Sequence, residues 1–315
     1  MSRAGAARPE GPTPQVKRAE PSAHAAGFQW RQAVGRVVAH EDRGAGHRWL
    51  EIEVDAEFLV PRPGQFVQLL LPAPAPVLLP RPMSVAAATP RGATLALGFL
   101  YAPVGAGTHA LARLALGESV ELLGPLGRGY PLEDPGTPVL VAGGRGVAPL
   151  LFAAEALAAA GRRCEFLFGA RSRAYLVGLD EAARRIEGLG GRLHPATDDG
   201  GLGHRGNVVD LLAKLAPGLD PEIVLHACGP HAMLGAVARW ALERGTPAWL
   251  AMESIMACGT GVCRGCPLPR SEGGRAAYLR ERGDAPSLEG NHEYAMCCTE
   301  GPVFAAAALD WERVT

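Results

Sequence analysis

Val139-Leu140-Val141-Ala142-Gly143-Gly144-Arg145-Gly146-Val147-Ala148-Pro149 is a run of apolar residues, a glycine-rich turn, and the start of a second apolar run. Four consecutive apolar residues without alternation describe a strand buried on both faces, as in a parallel sheet. The turn leads straight into a helix start, where unpaired N–H groups suit a nucleotide phosphate. The order of glycines is not the G-x-G-x-x-G fingerprint, so Gly143, Gly144 and Gly146 are read as a phosphate turn of another kind.

Outward from this stretch the rhythm differs on its two sides. Downstream, strands are predicted over residues 137–142, 164–168, 192–196 and 223–227, with helices over 148–160, 180–189, 208–215 and 232–244 between them. That alternation is a βαβ domain with a parallel sheet. Upstream, the pattern predicts short strands over 36–40, 49–54, 65–70, 94–101 and 119–123, separated by turn residues, with one helix over 108–115. Leu50, Ile52 and Val54 alternate with Glu51 and Glu53, the mark of a half-buried strand. This part reads as a small antiparallel β-barrel. The expected organisation is a tail over 1–27, a barrel over 28–134, an α/β domain over 135–252 and a small C-terminal domain over 253–315.

Composition excludes several classes. Lys+Arg 31 against Asp+Glu 32 leaves a net charge of −1, which gives no global pull toward nucleic acid or an anionic membrane. The first 27 residues are rich in Ala, Pro, Gly and Arg without hydrophobic period, and read as a disordered tail rather than a secretory signal. No run reaches the length of a membrane span, so a cytoplasmic location is expected. Of the Cys 7, five follow residue 257, the wrong distribution for a disulfide-stapled scaffold and the right one for a metal site in a reducing compartment.

Cys258-Gly-Thr-Gly-Val-Cys263-Arg-Gly-Cys266, followed by Cys297-Cys298, has the C-x4-C-x2-C…C spacing of plant-type 2Fe-2S sites. Three thiolates on one tight loop can grip both irons. A structural zinc usually pairs two C-x2-C knuckles and lacks the x4 spacing. Spacing leaves the fourth ligand open between Cys297 and Cys298. In the barrel, Arg81-Pro82-Met83-Ser84 ends a strand, and Tyr101 is followed by Gly105-Ala-Gly107-Thr108 at a helix start. An arginine pairs with a pyrophosphate, a serine meets a flavin edge, and a helix start offers N–H groups to phosphate. Cys228-Gly229-Pro230 ends a later strand and can flank a nicotinamide. Asp198, at the end of the third βαβ strand, would accept ribose hydroxyls and repel a 2′-phosphate, favouring NAD over NADP. Arg171 and Arg173, after the second βαβ strand, could touch a cofactor phosphate, but the reading preferred is a solvated loop. His109, His194, His204, His226, His231 and His292 fall on different elements without ligand spacing, and no catalytic triad or carboxylate pair stands out.

A flavin barrel, a nicotinamide domain and a C-terminal 2Fe-2S loop, in that order, resemble the ferredoxin-reductase superfamily. Within it the sequence resembles the electron-transfer subunits of NAD-dependent dihydroorotate dehydrogenases over roughly residues 30–310. The residues that carry this are Pro63-Gly64-Gln65-Phe66, Arg81 to Ser84, Leu123-Gly-Pro-Leu-Gly127, Gly143 to Pro149, Ala196 to Gly200, Cys228 to Leu234, Met252-Glu253, and Cys298-Thr-Glu-Gly-Pro-Val-Phe304. The resemblance implies Cys298 as the fourth cluster ligand beside Cys258, Cys263 and Cys266. It implies FAD contacts at Arg81, Pro82, Met83, Ser84, Tyr101, Ala102, Pro103, Gly107 and Thr108.

The implied partner is an FMN-containing catalytic subunit that oxidises dihydroorotate to orotate in pyrimidine biosynthesis, two copies of each chain forming a heterotetramer. Electrons would pass through 2Fe-2S and FAD to NAD+, so this chain would need no acid/base residue of its own. Other reductase subunits, of ferredoxin:NADP or hydrogenase type, share much of the pattern, and a non-enzymatic zinc-stabilised module is the alternative outside the enzymes. The sequence departs from the family at Pro80, where a second arginine is common, at Ala102-Pro103 and at Arg145, where the residue is usually small. The segment between Cys266 and Cys298 is also longer than the family norm.

Overall fold

The computed structural model describes residues 29–72, 77–282 and 292–314. The predicted tail lies outside the described residues, as do residues 283–291 of the polar segment before Cys297. The first part of the chain forms β1 (Arg31–Gly44), β2 (His47–Asp55), β3 (Phe66–Leu70), β4 (Arg81–Ser84), β5 (Ala87–Arg91), β6 (Thr94–Tyr101), α1 (Ala106–Leu111) and β7 (Ser119–Leu126). Its strands make one antiparallel sheet in the order β4-β3-β7-β1-β2-β6-β5. The sheet curls on itself. Val85 donates its N–H to Gln65 beside one edge, and Ala86 donates to Gly98 beside the other, so two consecutive residues carry the chain across the seam. The alternation in β2 holds: Leu50, Ile52 and Val54 are buried among Val67, Leu69, Leu97, Phe99 and Leu122. Each such side chain contributes about 1.5–3 kcal/mol by leaving water.

The helix predicted over 108–115 lies earlier, at Ala106–Leu111. The Thr108 hydroxyl accepts the N–H groups of Val104 and Gly105 and sets the start. Beyond Leu111 the N–H groups of Arg113 and Leu114 reach back only three residues, which tightens the chain out of α-geometry.

The second part comprises β8 (Thr137–Gly143), α2 (Val147–Ala159), β9 (Glu165–Ala170), α3 (Leu179–Gly188), β10 (Arg192–Thr197), β11 (His204–Arg205), α4 (Val208–Leu215), β12 (Ile223–Cys228), α5 (His231–Arg244) and β13 (Ala248–Ala251). The C-terminal part adds β14 (Pro267–Pro269), α6 (Glu272–Arg282), β15 (Tyr294–Met296) and β16 (Val303–Ala305). The second sheet runs β11-β10-β9-β8-β12-β13-β16, parallel except for β16, which pairs antiparallel with β13. The chain winds outward from β8 through β9 and β10, then returns to β12 on the other side of β8. That reversal opens a crevice at the strand C-termini, the usual ligand position in such sheets.

The cysteine-bearing segment builds no separate core. Cys266, Leu268, Ala295, Met296, Cys297, Cys298 and Phe304 are buried in one cluster with Leu225, Leu250 and Trp240 of the parallel-sheet domain. The Gly/Arg-rich stretch after Arg270 is helical over Glu272–Arg282. Among the described residues no helix is long and apolar enough to cross a membrane.

Candidate functional site

The crevice between β8 and β12 is a cleft of ≈ 720 Å³, within the range of small-molecule sites. Gly143, Gly144 and Gly146 form its floor, Gly229 and Pro230 one wall, and Asp198 at the end of β10 the far side. Gly146 is required by close approach: a Cβ there would lie 2.0 Å from the Cys228 carbonyl oxygen. The two turns that meet at the switch point are therefore packed backbone to backbone. Residues the sequence did not single out also line the cleft, His47 from β2, Tyr175 and Asn207, together with Arg171. Arg171 is exposed, as the reading of a solvated loop expects, and its guanidinium lies 4.6 Å from the Tyr175 ring centre at the cleft wall. Asn207 caps α4 by accepting from Val209 and Asp210. His47 comes from the other domain, so only folding could reveal it.

A second cavity, of ≈ 230 Å³, lies between the barrel and this crevice. Pro82, Met83, Ser84, Tyr101, Ala102 and Thr108 line it from the barrel, with Phe66 and Leu100. Gly146 and Cys228 line it from the parallel-sheet domain, and Arg145 faces both cavities. Arg81, Pro103 and Gly107 are not in its wall. Arg81 runs beside Gly107, whose missing Cβ leaves room for the arginine Cδ, and two of its nitrogens bond the Pro80 and Leu79 carbonyls. The Thr108 hydroxyl is committed to its own loop.

Tyr101 is held from behind: its hydroxyl lies 2.8 Å from His40 Nε2, and His40 Nδ1 lies 2.8 Å from the Leu114 carbonyl. A carbonyl only accepts, so in the neutral ring Nδ1 carries the proton and Nε2 accepts from the tyrosine. Burial pushes the Tyr101 phenol up to about 12, with Arg48 opposing, so it stays a donor. Burial likewise pushes the Cys228 thiol up to about 12. The cavity is thus mostly apolar with a few fixed polar atoms, which fits a flat aromatic ring system with a polar edge.

From this cavity the chain leads directly to the cysteines. Met252, Glu253, Ser254 and Met256 line it, and Cys258 follows two residues later. In the loop, Cys258 Sγ accepts the N–H groups of Thr260 and Cys263 at 3.4 Å, Cys263 Sγ that of Gly265 at 3.5 Å, and Cys266 Sγ that of Cys298 at 3.4 Å. Burial opposes ionisation of Cys258, but the N–H groups of Cys263 and Thr260 outweigh it and bring the thiol down to about 6. Cys266 also comes down to about 6, chiefly because the Cys298 thiol donates to it. The two adjacent cysteines take different partners: Cys298 donates to Cys266, and that bond together with burial pushes its own thiol well up, whereas Cys297 donates to the Met252 carbonyl and is pushed well up by burial. Among the described residues no three His, Cys, Asp or Glu side chains gather as one metal ion would hold them. A thiolate set with N–H groups aimed at sulfur fits an iron–sulfur cluster, whose charge such donors stabilise.

The comparisons with known proteins agree with this geometry. Residues 140–239 match the Oxidoreductase NAD-binding domain family. The chain is 33% identical over 279 residues to the dihydroorotate dehydrogenase B (NAD(+)), electron transfer subunit, of Shouchella clausii (strain KSM-K16), covering 87% of this chain and 97% of the relative. It is 34% identical to the subunit of the same name from Bacillus caldolyticus, with the same coverage. Among solved structures, a chain of an NADH-dependent reduced ferredoxin-NADP oxidoreductase superposes with a TM-score of 0.71 at 26% identity, over 89% of this chain and 91% of that one. The protein therefore belongs to the family of dihydroorotate dehydrogenase B (NAD+) electron transfer subunits.

Proposed function

We infer that this chain carries electrons from an FMN-containing dihydroorotate dehydrogenase catalytic subunit to NAD+, as an oxidoreductase subunit of pyrimidine biosynthesis. The observation that carries this reading is the segment from Met252 to Cys258, which lines the inter-domain cavity, touches the nucleotide cleft through Glu253, and runs into the cysteine loop. Three redox stations would thus share one stretch of backbone. When bound, a 2Fe-2S cluster and FAD would supply only the relay: the two electrons and two protons released by dihydroorotate oxidation in the catalytic subunit balance as NADH and one proton.

The chain's own residues bind and orient. Pro82, Met83, Ser84, Tyr101 and Ala102 would hold the flavin ring, with Tyr101 fixed by His40. Arg81, Pro103, Gly107 and Thr108 would position the remainder of FAD through the barrel loop. Gly143, Gly144 and Gly146 would take the NAD pyrophosphate, Asp198 the adenine ribose, and Cys228, Gly229 and Pro230 the nicotinamide. Cys258, Cys263, Cys266 and Cys298 would hold the irons. Ile255 and Val262, 87% and 83% exposed beside the loop, give an apolar landing for the catalytic subunit, in a heterotetramer with two copies of each chain. The reading places the complex in the cytoplasm, where thiols stay reduced.

The test is a visible spectrum of the anaerobically purified chain before and after NADH. Flavin and iron–sulfur bands that bleach are the expected result. A colourless protein that anaerobic reconstitution with FAD, iron and sulfide leaves colourless would overturn it.

A further inference from the structure

Gln68, in the middle of β3, is completely buried, and neither its amide nitrogen nor its amide oxygen has a hydrogen-bond partner among the described residues. Its strand neighbours Val67 and Leu69 turn into the barrel core, while Phe66, on the same face as Gln68, joins the buried cluster that contains Cys266 and Cys298. Gln68 therefore faces the cysteine segment. It lies directly against Gly259, the residue after Cys258: a Cβ on Gly259 would fall 2.8 Å from Gln68 Nε2. Gly259 has φ +74°, so the loop turns here by a conformation that leaves this side open to the amide. Across the sheet Gln68 pairs with Pro82, whose own side chain lines the inter-domain cavity.

A buried amide with both ends unpaired is costly, and native folds keep such a group where a partner exists. The neighbouring thiolate loop supplies acceptors of the right kind, because cluster sulfurs accept N–H donors and gain most from them when the cluster is reduced and more negative. We propose that the Gln68 side-chain N–H donates to the sulfur shell of the 2Fe-2S cluster on its Cys258 side, raising the cluster's reduction potential. This rests on the cluster assignment made above. Gln68 is a positioning and tuning residue from the barrel, and it ties the flavin wall to the cysteine loop.

The experiment compares the holoprotein with Gln68→Leu and Gln68→Met, which keep the volume and remove the unpaired atoms. Two quantities are read: the cluster midpoint potential, by redox titration followed by electron paramagnetic resonance, and ¹⁵N coupling to the reduced cluster after selective labelling of glutamine side chains. Both variants should retain full iron and flavin, lose the ¹⁵N coupling, and show cluster reduction about tenfold less favourable, equal to about 59 mV for one electron, with the flavin potential unchanged. A normal cluster whose potential and coupling spectrum are the same in wild type and variants would overturn the inference alone. A wild-type chain without a 2Fe-2S signal would overturn the cluster assignment and this inference with it.

Discussion

At the end of β12, His226 and Cys228 are buried, and burial is the leading influence on each: it pulls the imidazole down to about 3 and pushes the thiol up to about 12. In the cysteine loop the balance reverses. Burial still opposes ionisation at Cys258, yet backbone N–H groups aimed at sulfur win, and the thiol falls to about 6. The same functional group is kept neutral beside the nucleotide cleft and poised to ionise at the loop. Depth and backbone direction act together: Cys228 is buried, whereas Cys258 is only partly so and meets N–H groups aimed at its sulfur. Cys297 and Cys298 differ over one residue step in what they face, the first donating to a carbonyl and the second to the Cys266 sulfur, and both thiols are pushed well up.

The sharpest way to break the comparison is to exchange those neighbours. Cys298→Ser should abolish cluster absorbance and bound iron while flavin remains, whereas Cys297→Ser should retain both, as read by visible spectra and iron assay. Equal loss in the two variants would mean that the direction each side chain takes does not select the ligand. On the β12 side, Gly146→Ala forces a Cβ to within 2.0 Å of the Cys228 carbonyl unless the turn moves. Reduction of the flavin by NADH should slow by at least about tenfold in stopped-flow measurements, and thermal stability should fall by about 1–3 kcal/mol. Unchanged kinetics would show that the two turns are not the rigid pair described here.

The contrast was partly written in the sequence. Spacing exposed the loop cysteines because they lie close in the chain, and the glycine turn after β8 was visible because a glycine-rich link between a buried strand and a helix is a local pattern. The runs around β2 and β6 were legible through alternation. What could not be read was assembled over distance. His47 reaches the cleft from β2 of the barrel, Gln68 meets Gly259 from another domain, and β16 joins the parallel sheet after a long excursion. The choice between Cys297 and Cys298 also lay beyond spacing, because it depends on which way each side chain turns from a tight loop.

A smaller effect sharpens the cleft side of the comparison. Asp198 lies in the cleft wall at the end of β10, and a carboxylate there disfavours a 2′-phosphate. Asp198→Ser should raise the ratio of NADPH to NADH efficiency by about tenfold, worth ~1.4 kcal/mol, measured as flavin reduction rate against coenzyme concentration. No change in that ratio would remove Asp198 from the ribose site.

A separate effect, on stability rather than rate, concerns His226, which packs edge-on against Tyr130 at 5.5 Å with both ring nitrogens unpartnered among the described residues. Its folded value of about 3 lies below the ordinary 6.5. The unfolded chain therefore takes up this proton first. The stability it protects is complete above pH 6.5 and is lost as pH falls toward 3, at up to ~1.4 kcal/mol per pH unit. His226→Leu removes the titrating group and its unpaired nitrogens together, so denaturant melts of the variant should lose that part of the acid slope between pH 6.5 and 5 while matching or exceeding wild type at pH 8. Parallel stability curves for the two proteins would mean that the ring finds a proton partner on β12, and that burial is not what keeps this strand uncharged beside the cleft.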